Sequence, residues 1–352
     1  MKSTPPLTGE LALIEQIRRA SNGTKSPILS LGLGDDCAIL RPPPGREILV
    51  TTDFTLENRH FQRNLHPPES IGHRCLARGL SDLAAMGATP HAAFLSLALP
   101  PAMITTQSGR RWIERFFDGL HALRTKHHVP LAGGDTSESP GGRAALILAD
   151  IILIGSAPTG KALRRSRASA GDILYVTGAL GGSAAEWSTM QSRGRLARVS
   201  SLENHPHLFP QPRIETGRAL LLRNLATACL DISDGLSTDL AHLCRASGLN
   251  AEIDQAALPI HPLAGKLGAE AALHFALHGG EDYELLFAAS PSVRMPRSLA
   301  GVPVTRIGTL KRRLAGRPLM TLLTSNSRPV ALEPAGWEHF AAPPKIQKKA
   351  PR

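Results

Sequence analysis

The chain has 352 residues, 42% of them hydrophobic, and a formal net charge of +11. This length and composition predict a globular protein of two domains with a sizeable core. No apolar run is long enough to span a membrane, and prolines at the start argue against the apolar core of a signal peptide, so we expect a cytoplasmic protein.

The positive charge invites a nucleic-acid-binding interpretation, but two features weaken it. Part of the excess lies in a Lys- and Pro-rich tail, residues 341–352, which we predict to be disordered. The rest is dispersed, and with only two Tyr the chain lacks the aromatic–basic interleaving that stacks bases. A basic surface also suits small polyanionic ligands, so nucleic acid is not the expected partner.

In the first half of the chain, apolar patterns and helix-ending residues predict an irregular mixture of helices and strands. The predicted elements are helix 11–20, strands 38–40 and 48–52, helix 69–86, strand 92–99, an amphipathic helix around 112–123, and strands 129–132 and 145–154.

The second half, from about Gly155, repeats the mixture. Its predicted elements are strand 173–177, helices 182–191 and 213–225, strand 228–232, helix 236–246 and strand 282–288. The order predicts an α/β or α+β architecture with domains at 1–155 and 156–340, and not the regular alternation of a Rossmann sheet.

Four cysteines are scattered without the C-x-x-C spacing of a zinc site, namely Cys37, Cys75, Cys229 and Cys244. We interpret them as reduced core thiols, which suits a reducing cytosol.

Aspartates recur beside glycines or at the ends of predicted strands. Glycine lets the backbone approach a ligand, and carboxylate oxygens are the ligands that Mg²⁺ prefers. Each element alone is explained by a turn or a helix cap. Six such aspartate-containing elements in one chain together predict a metal–phosphate site. They are Gly34-Asp35-Asp36, Thr51-Thr52-Asp53, Ser81-Asp82, Gly133-Gly134-Asp135, Asp231-Ile232-Ser233-Asp234-Gly235 and Gly279-Gly280-Glu281-Asp282.

The segment from Gly155 to Ala162 nearly matches the phosphate-binding pattern G-x-x-x-x-G-K-[ST]. Its last position is Ala162, which lacks the hydroxyl that binds Mg²⁺, and no amphipathic helix pattern follows. We therefore reject a P-loop and expect metals and arginines to neutralise the nucleotide's phosphates. The cluster Arg164, Arg165 and Arg167 is either such a phosphate contact or a solvated face. His60, close after Asp53, could reach the same site.

Several motifs occur in an order that resembles the thiamine-monophosphate kinase family, within the aminoimidazole-ribonucleotide-synthetase-like superfamily. They are GLGDDCAIL, TTDFTLE followed by HF, LSDLAAMGATP, GGDT, VTGALGGSAA, PQPRI, DISDGLSTDL, GGEDYELLF and GWEHF, between residues 31 and 340. The resemblance implies two α/β domains, a homodimer formed through strands of the N-terminal domain, and ATP bound near the dimer interface.

The resemblance also implies roles for single residues. Those expected to bind several Mg²⁺ ions are Asp36, Thr51, Thr52, Asp53, Asp82, Asp135, Asp231 and Asp234. Those expected on the nucleotide are Gly134, Asp135, Arg165 and Ser233. Those expected on thiamine monophosphate are His60, Glu281 and Trp337.

Three positions depart from the family pattern. Asn58-Arg59 replaces a Gly-Val-like pair before His60, so the local geometry on the substrate side is in question. The segment from Ser137 to Pro140 replaces Thr-Arg-Gly-Pro, which would remove an arginine contact. Trp337 stands where Tyr is frequent and keeps the aromatic plane.

Motifs and resemblance together predict ATP-dependent phosphorylation of thiamine monophosphate to thiamine diphosphate by direct in-line transfer. No covalent nucleophile is expected, and Asp135 and Arg165 would act electrostatically. One alternative is another ATP-using enzyme of the superfamily, although two of those use a reactive Cys or selenocysteine near a terminus, where this chain has neither. The other is a non-catalytic binder of nucleic acid or other polyanions, which the positive charge favours.

Overall fold

A computed structural model describes residues 10–21, 26–33, 37–197, 199, 205–326 and 328–338. The helices are α1 Glu10–Ser21, α2 Pro68–Ala85, α3 Pro101–Thr105, α4 Gln107–Lys126, α5 Gly182–Arg193, α6 Ile214–Leu222, α7 Leu236–Ser247, α8 Pro262–Gly265 and α9 Ala269–His278. The strands are β1 Leu29–Leu31, β2 Ile39–Leu40, β3 Arg46–Leu56, β4 Thr89–Leu99, β5 Leu131–Glu138, β6 Leu148–Pro158, β7 Ile173–Thr177, β8 Ala228–Ile232, β9 Leu249–Asp254, β10 Glu284–Ala289, β11 Ser298–Leu299, β12 Val302–Arg312, β13 Met320–Leu323 and β14 Pro329–Ala331. Asp36 and the tail 341–352 lie outside the described residues.

The N-terminal half contains a four-stranded sheet in the order β3-β6-β4-β5. Strands β4 and β5 are parallel and the other neighbours are antiparallel. Along β3 the side chains alternate, so that Leu49 and Thr55 are buried while Val50 and Phe54 are largely exposed. One face of this sheet therefore packs on the core, and the other presents apolar side chains to its surroundings.

Helix α2 packs against elements of both halves of the molecule. It contacts β3 and β6 of the first sheet, β8 and β10 of the second, and helices α4 and α6. Its approach to α4 depends on two glycines, because a Cβ on Gly72 would lie 1.8 Å from the Phe116 carbonyl oxygen, and one on Gly119 would lie 1.8 Å from that of Glu69. This close packing holds α2 in place as the wall from which site residues project.

The C-terminal half contains a larger sheet in the order β14-β13-β9-β12-β7-β10-β8, with β11 paired to β12. Strands β8 and β10 are antiparallel, and Glu284 is opposite Ile232. The segment after β8 therefore meets the segment before β10, and the Tyr283 N–H donates to the Ile232 carbonyl at 2.9 Å. Two aspartate-rich motifs that are distant in sequence become neighbours through this pairing.

The strands predicted at 173–177 and 228–232 have the predicted bounds. The strand predicted at 129–132 is wrong in extent, since β5 runs through Gly133-Gly134-Asp135 to Glu138. Pairing with β4 keeps these polar residues in extended structure, and a Cβ on Gly134 would lie only 2.0 Å from the Leu95 carbonyl oxygen. The glycines thus serve the close approach of two strands.

The rejection of a P-loop is confirmed. Strand β6 continues to Pro158, and the next helix in the described chain begins at Gly182. The interpretation of four core thiols is wrong for Cys37, which is exposed, whereas Cys75, Cys229 and Cys244 are buried. Among the described helices, none combines the length and apolar composition needed to cross a bilayer.

Candidate active site

A cleft of about 580 Å³ opens between the two halves. Strand β3 and helix α2 contribute one side, and the segments after β8 and before β10 contribute the other. It brings together several residues that the sequence singled out from distant motifs. Of the predicted metal residues, Asp53, Asp82, Asp231 and Asp234 line this cleft.

At one end of the cleft, which we call the carboxylate end, lie Asp53, Asp82 and Asp231. The Ser81 hydroxyl donates to Asp231 Oδ2 at 2.7 Å, and the Thr51 hydroxyl donates to Asp82 Oδ2. Thr51, a predicted metal residue, is therefore held beside the cleft through Asp82.

The carboxylate end is electrostatically incomplete. Burial and the charge of Asp82 raise the pKa of Asp53, and the same two causes raise the pKa of Asp231. The nearest cation to Asp53 is Arg78, whose Nη2 is 3.7 Å from Oδ1. Carboxylates crowded together in this way suit a divalent cation, because its charge would remove their mutual repulsion. The donor set therefore fits Mg²⁺.

The middle of the cleft contains a cluster of charges that the sequence reading missed. Arg74 is buried, and its Nη2 lies 2.8 Å from both carboxylate oxygens of Glu281. Arg78 Nη1 lies 3.2 Å from Glu281 Oε1. Burial alone would raise the pKa of Glu281, but Arg74, His207 and Arg78 outweigh it and hold that pKa well below its usual range. Glu281 is therefore a fixed anion.

A sequence signal for these arginines existed. Arg74, Arg78 and Asp82 are spaced four residues apart, and on a helix this spacing places side chains on one face. Since Asp82 was already a candidate, the same face of α2 pointed to both arginines.

His60, Glu281 and Trp337 also line the cleft, as the predicted substrate contacts should. His60 Nδ1 accepts the Leu56 N–H at 2.9 Å, so its Nε2 is the protonated nitrogen. Asn58, which replaces a family glycine, has a φ of 65°. Asn tolerates this left-handed conformation, so the turn before His60 forms despite the replacement.

The segment after β8 is anchored by Asp239, a residue of α7 that the sequence reading did not select. Its Oδ2 accepts the N–H groups of Ser233 and Asp234, each at 3.1 Å. Burial, then Asp231 and Asp234, raise the pKa of Asp239 to about 8. The side-chain atoms of Asp234, Asp239 and His242 that are able to bind a metal lie within 4.8 Å of one another. Ser233, a predicted nucleotide contact, is positioned in the cleft by this anchor.

Two predicted metal residues lie outside the cleft, on the exposed face of the four-stranded sheet. The Thr52 hydroxyl donates to Asp150 Oδ1 at 2.7 Å. Asp135 is opposite Ser96, which is in turn opposite Asp150, so Thr52, Asp135 and Asp150 share one face. Asp150 was missed because it interrupts an apolar run and no motif marks it. Asp53 lies on the opposite face, and the predicted metal residues thus divide into two groups.

Arg165 is exposed and precedes the C-terminal sheet. Its charge opposes the rise in the pKa of Asp231 that burial and Asp82 cause. Arg165 is not among the residues that line the cleft, and its assignment to the nucleotide stays a prediction.

Comparison with known proteins identifies relatives of both halves of the chain. The AIR synthase related protein N-terminal domain matches residues 34–157, and the corresponding C-terminal domain matches residues 169–296. Thiamine-monophosphate kinase of Escherichia coli K12 is 37% identical over 342 residues, covering 95% of this chain and 99% of the relative.

Two solved structures are also similar over most of their length. The crystal structure of thiamine-monophosphate kinase from Stenotrophomonas maltophilia K279a has a TM-score of 0.74 at 35% identity, covering 87% of this chain and 95% of that one. AaThiL complexed with AMPPCP and TMP has a TM-score of 0.71 at 29% identity, covering 94% of this chain and 97% of that one.

Proposed function

The chain belongs to the thiamine-monophosphate kinase family, and from this premise we propose that it transfers the γ-phosphoryl group of ATP to thiamine monophosphate, forming thiamine diphosphate. The observation that carries the proposal is one cleft in which crowded carboxylates of three separate motifs lie next to the half-buried Arg78 and the buried Arg74. Such a cleft suits the meeting of two polyanions, because cations and carboxylate-bound metals can neutralise them together.

Magnesium is the metal we propose. Asp53, Asp82 and Asp231 would hold it in the cleft, with Asp234 as a further candidate, while Thr52, Asp135 and Asp150 offer oxygen atoms on the other face of the sheet. Bound there, Mg²⁺ would neutralise charge on the phosphates of ATP and on the transferring group. Whether Asp36 contributes stays a prediction.

The residues of the chain itself would mainly position and neutralise. Arg78 lies between Asp53 and Glu281 and can reach an anion held in the cleft. The acceptor is a phosphate oxygen that is already anionic at neutral pH, so no general base is required. We therefore propose direct in-line transfer without a phosphoenzyme, with Arg165 and Ser233 on the nucleotide and His60, Glu281 and Trp337 on the acceptor. Gly134 and Asp135 stay predictions for the nucleotide, because Asp135 lies on the face of the sheet away from the cleft.

We also propose a homodimer formed through the exposed face of the four-stranded sheet. Ile48, Val50 and Phe54 are 39%, 64% and 60% exposed, and together they form an apolar patch on β3. Such patches mark interaction sites. Thr52 and Asp135 share this face, so a nucleotide bound by them would lie near the interface. The four free thiols support the proposed cytoplasmic location.

The deciding experiment supplies purified protein with ATP, Mg²⁺ and thiamine monophosphate and measures thiamine diphosphate. We expect Mg²⁺-dependent formation of thiamine diphosphate and no label retained on the protein from γ-labelled ATP. ATP turnover without thiamine diphosphate would instead favour another acceptor within the superfamily. Salt-sensitive nucleic-acid binding without ATP turnover would favour the polyanion binder.

A further inference from the structure

The end of the cleft away from the carboxylates, which we call the aromatic end, is formed by Trp187 of α5 and by His66 and His207. All three line the cleft. The Trp187 and His207 rings stack at a centroid distance of 5.3 Å and an interplanar angle of 28°. His66 lies 5.3 Å from Trp187 and 5.2 Å from His207. No motif in the sequence marked any of them.

The two histidines are fixed behind the indole. Their Nε2 atoms are 3.0 Å apart, and such a hydrogen bond requires one of the two nitrogens to be unprotonated. The Ser183 hydroxyl lies 3.0 Å from His207 Nδ1. Burial, followed by the charge of Arg74, lowers the pKa of His66 to about 3 and that of His207 well below its usual value. Both rings are thus neutral and do not repel a cation.

Trp187 differs from its two neighbours in exposure. His66 and His207 are buried, whereas Trp187 is half-buried: it packs against the small apolar cluster around Leu208 and also lines the cleft. Its indole therefore has protein on one side and the cleft on another. A Trp so placed, with neutral rings behind it, is suited to a cationic heteroaromatic ring, since Trp is the best aromatic partner for a cation.

A series of contacts relates the aromatic end to the carboxylate end. His207 Nδ1 is 3.6 Å from Glu281 Oε2, Glu281 Oε1 is 3.2 Å from Arg78 Nη1, and Arg78 Nη2 is 3.7 Å from Asp53 Oδ1. This arrangement would match an acceptor that has a phosphate at one end and a positively charged ring at the other. The phosphate would bind at the carboxylate end, next to the proposed metals and Arg78, and the ring would then reach Trp187.

We propose that Trp187, supported by His66 and His207, forms the wall that receives the cationic heteroaromatic ring of the acceptor and so determines specificity for it. This inference rests on the proposed kinase function and adds a subsite to it. Trp337 occupies a different position, because its backbone N–H donates to the Asp234 backbone carbonyl at 2.9 Å, close to the carboxylate end. The two tryptophans therefore contact different parts of the bound substrates.

The test compares Trp187→Ala and Trp187→Phe with Trp112→Phe, a control in which the altered residue of α4 stacks on Phe116. For Trp187→Ala we expect KM for thiamine monophosphate to rise roughly tenfold, with KM for ATP and kcat little changed. Trp187→Phe, which keeps an aromatic face, should recover most of this loss.

Ligand charge provides a second measurement. The phosphate ester of hydroxyethylthiazole carries an anionic phosphate but an uncharged ring, so it should bind the wild type more weakly than thiamine monophosphate, and Trp187→Ala should narrow that difference in affinity. The chain has three Trp, which also allows fluorescence titration. Thiamine monophosphate should quench the wild type and Trp112→Phe to the same extent and Trp187→Phe less, with the remaining quenching due to Trp337.

The outcomes separate the two proposals. If the wild type forms no thiamine diphosphate, the proposed function fails. If it does, but Trp187→Ala keeps the wild-type KM for thiamine monophosphate, or raises the KM of both substrates equally, the subsite is wrong and the function stands. Quenching as large in Trp187→Phe as in the wild type would also overturn the subsite, even if the alanine variant did not fold.

Discussion

The carboxylate end and the middle of the cleft are both buried and charged, yet they are built in opposite ways. Around Glu281, two arginines provide compensating charge and hydrogen bonds, and the pKa of the carboxylate falls. Around Asp231, carboxylates crowd together without equivalent compensation, and their pKa values rise. The difference indicates that one region is preorganised by the fold alone, whereas the other has the character expected of a site that a cation completes, as we propose.

Asp231→Asn should produce the largest effect and separates activity from stability. If Asp231 holds metal as we propose, kcat should fall on the order of 10³-fold, equivalent to about 4 kcal/mol. The free energy of unfolding without metal should stay the same or rise, because one repelling charge is gone. Steady-state kinetics and urea unfolding in EDTA measure the two quantities.

Asp172→Asn is the matched control for that variant. Asp172 is also buried, but it is satisfied by the Ser169 N–H at 2.9 Å and the Thr227 hydroxyl at 2.6 Å. Its substitution should cost about 1–2 kcal/mol of stability and leave kcat nearly unchanged. If Asp231→Asn retained kcat near the wild-type value, the carboxylate end would not be the metal site.

Arg74→Met tests the preorganised region, and the sign of its stability effect should be the opposite. Glu281 would lose its closest partner, and the carbonyls of His60 and His207 would each lose a donor. We expect the free energy of unfolding to fall by about 3 kcal/mol in urea titrations, with an increased KM for thiamine monophosphate.

Arg213→Met offers a comparison for Arg74→Met, because Arg213 makes an equivalent buried pair with Glu284. The Arg213→Met variant should lose a similar free energy of unfolding, but its folded fraction should keep the wild-type KM for thiamine monophosphate. Equal KM values in the two variants would show that Arg74 does not position the substrate side.

Asp135→Asn extends the comparison to the oxygen-rich group on the other face of the sheet. Because Asp135 is exposed, the thermal midpoint should not change. If the group binds metal or nucleotide as we propose, kcat should fall on the order of 10²-fold. Turnover near the wild-type value would remove Asp135 from the reaction.

The smallest effect concerns pH. Asp53 and Asp231 have pKa values raised in the folded protein, so the unfolded chain loses these protons first as pH rises. These two groups should therefore lower the free energy of unfolding of the metal-free protein by about 1–2 kcal/mol from pH 4 to pH 7. The raised pKa of Asp239 adds a further fall in the same pH range. Mg²⁺ should reduce the total fall, and so should Asp231→Asn. Calorimetry over this pH range, with EDTA or Mg²⁺, checks both; a fall unaffected by either would contradict the assignment.

The sequence predicted much of the local structure and the chemical character of the site. Strands β7 and β8 have their predicted bounds because their apolar runs are bounded by turn residues, and α7 is ended by Gly248 as expected, with Ser247 as its last residue. The family resemblance is confirmed, and it followed from ordered motifs. The later strands β9 and β12–β14 were missed, because their sequences mix apolar and polar residues without a strong pattern and the strands depend on pairing within the sheet.

Tertiary structure alone decided how the site is divided. The sequence indicated one group of aspartates, yet Thr52 and Asp53, adjacent in the chain, point to opposite faces of β3. Equally, only the antiparallel pairing of β8 with β10 brings Asp231 near Glu281, and only the folding of the segment around His207 against α5 forms the stack with Trp187. Residue types determine which ligands a protein can hold, but charge repulsion, burial and stacking depend on distances that long-range packing sets.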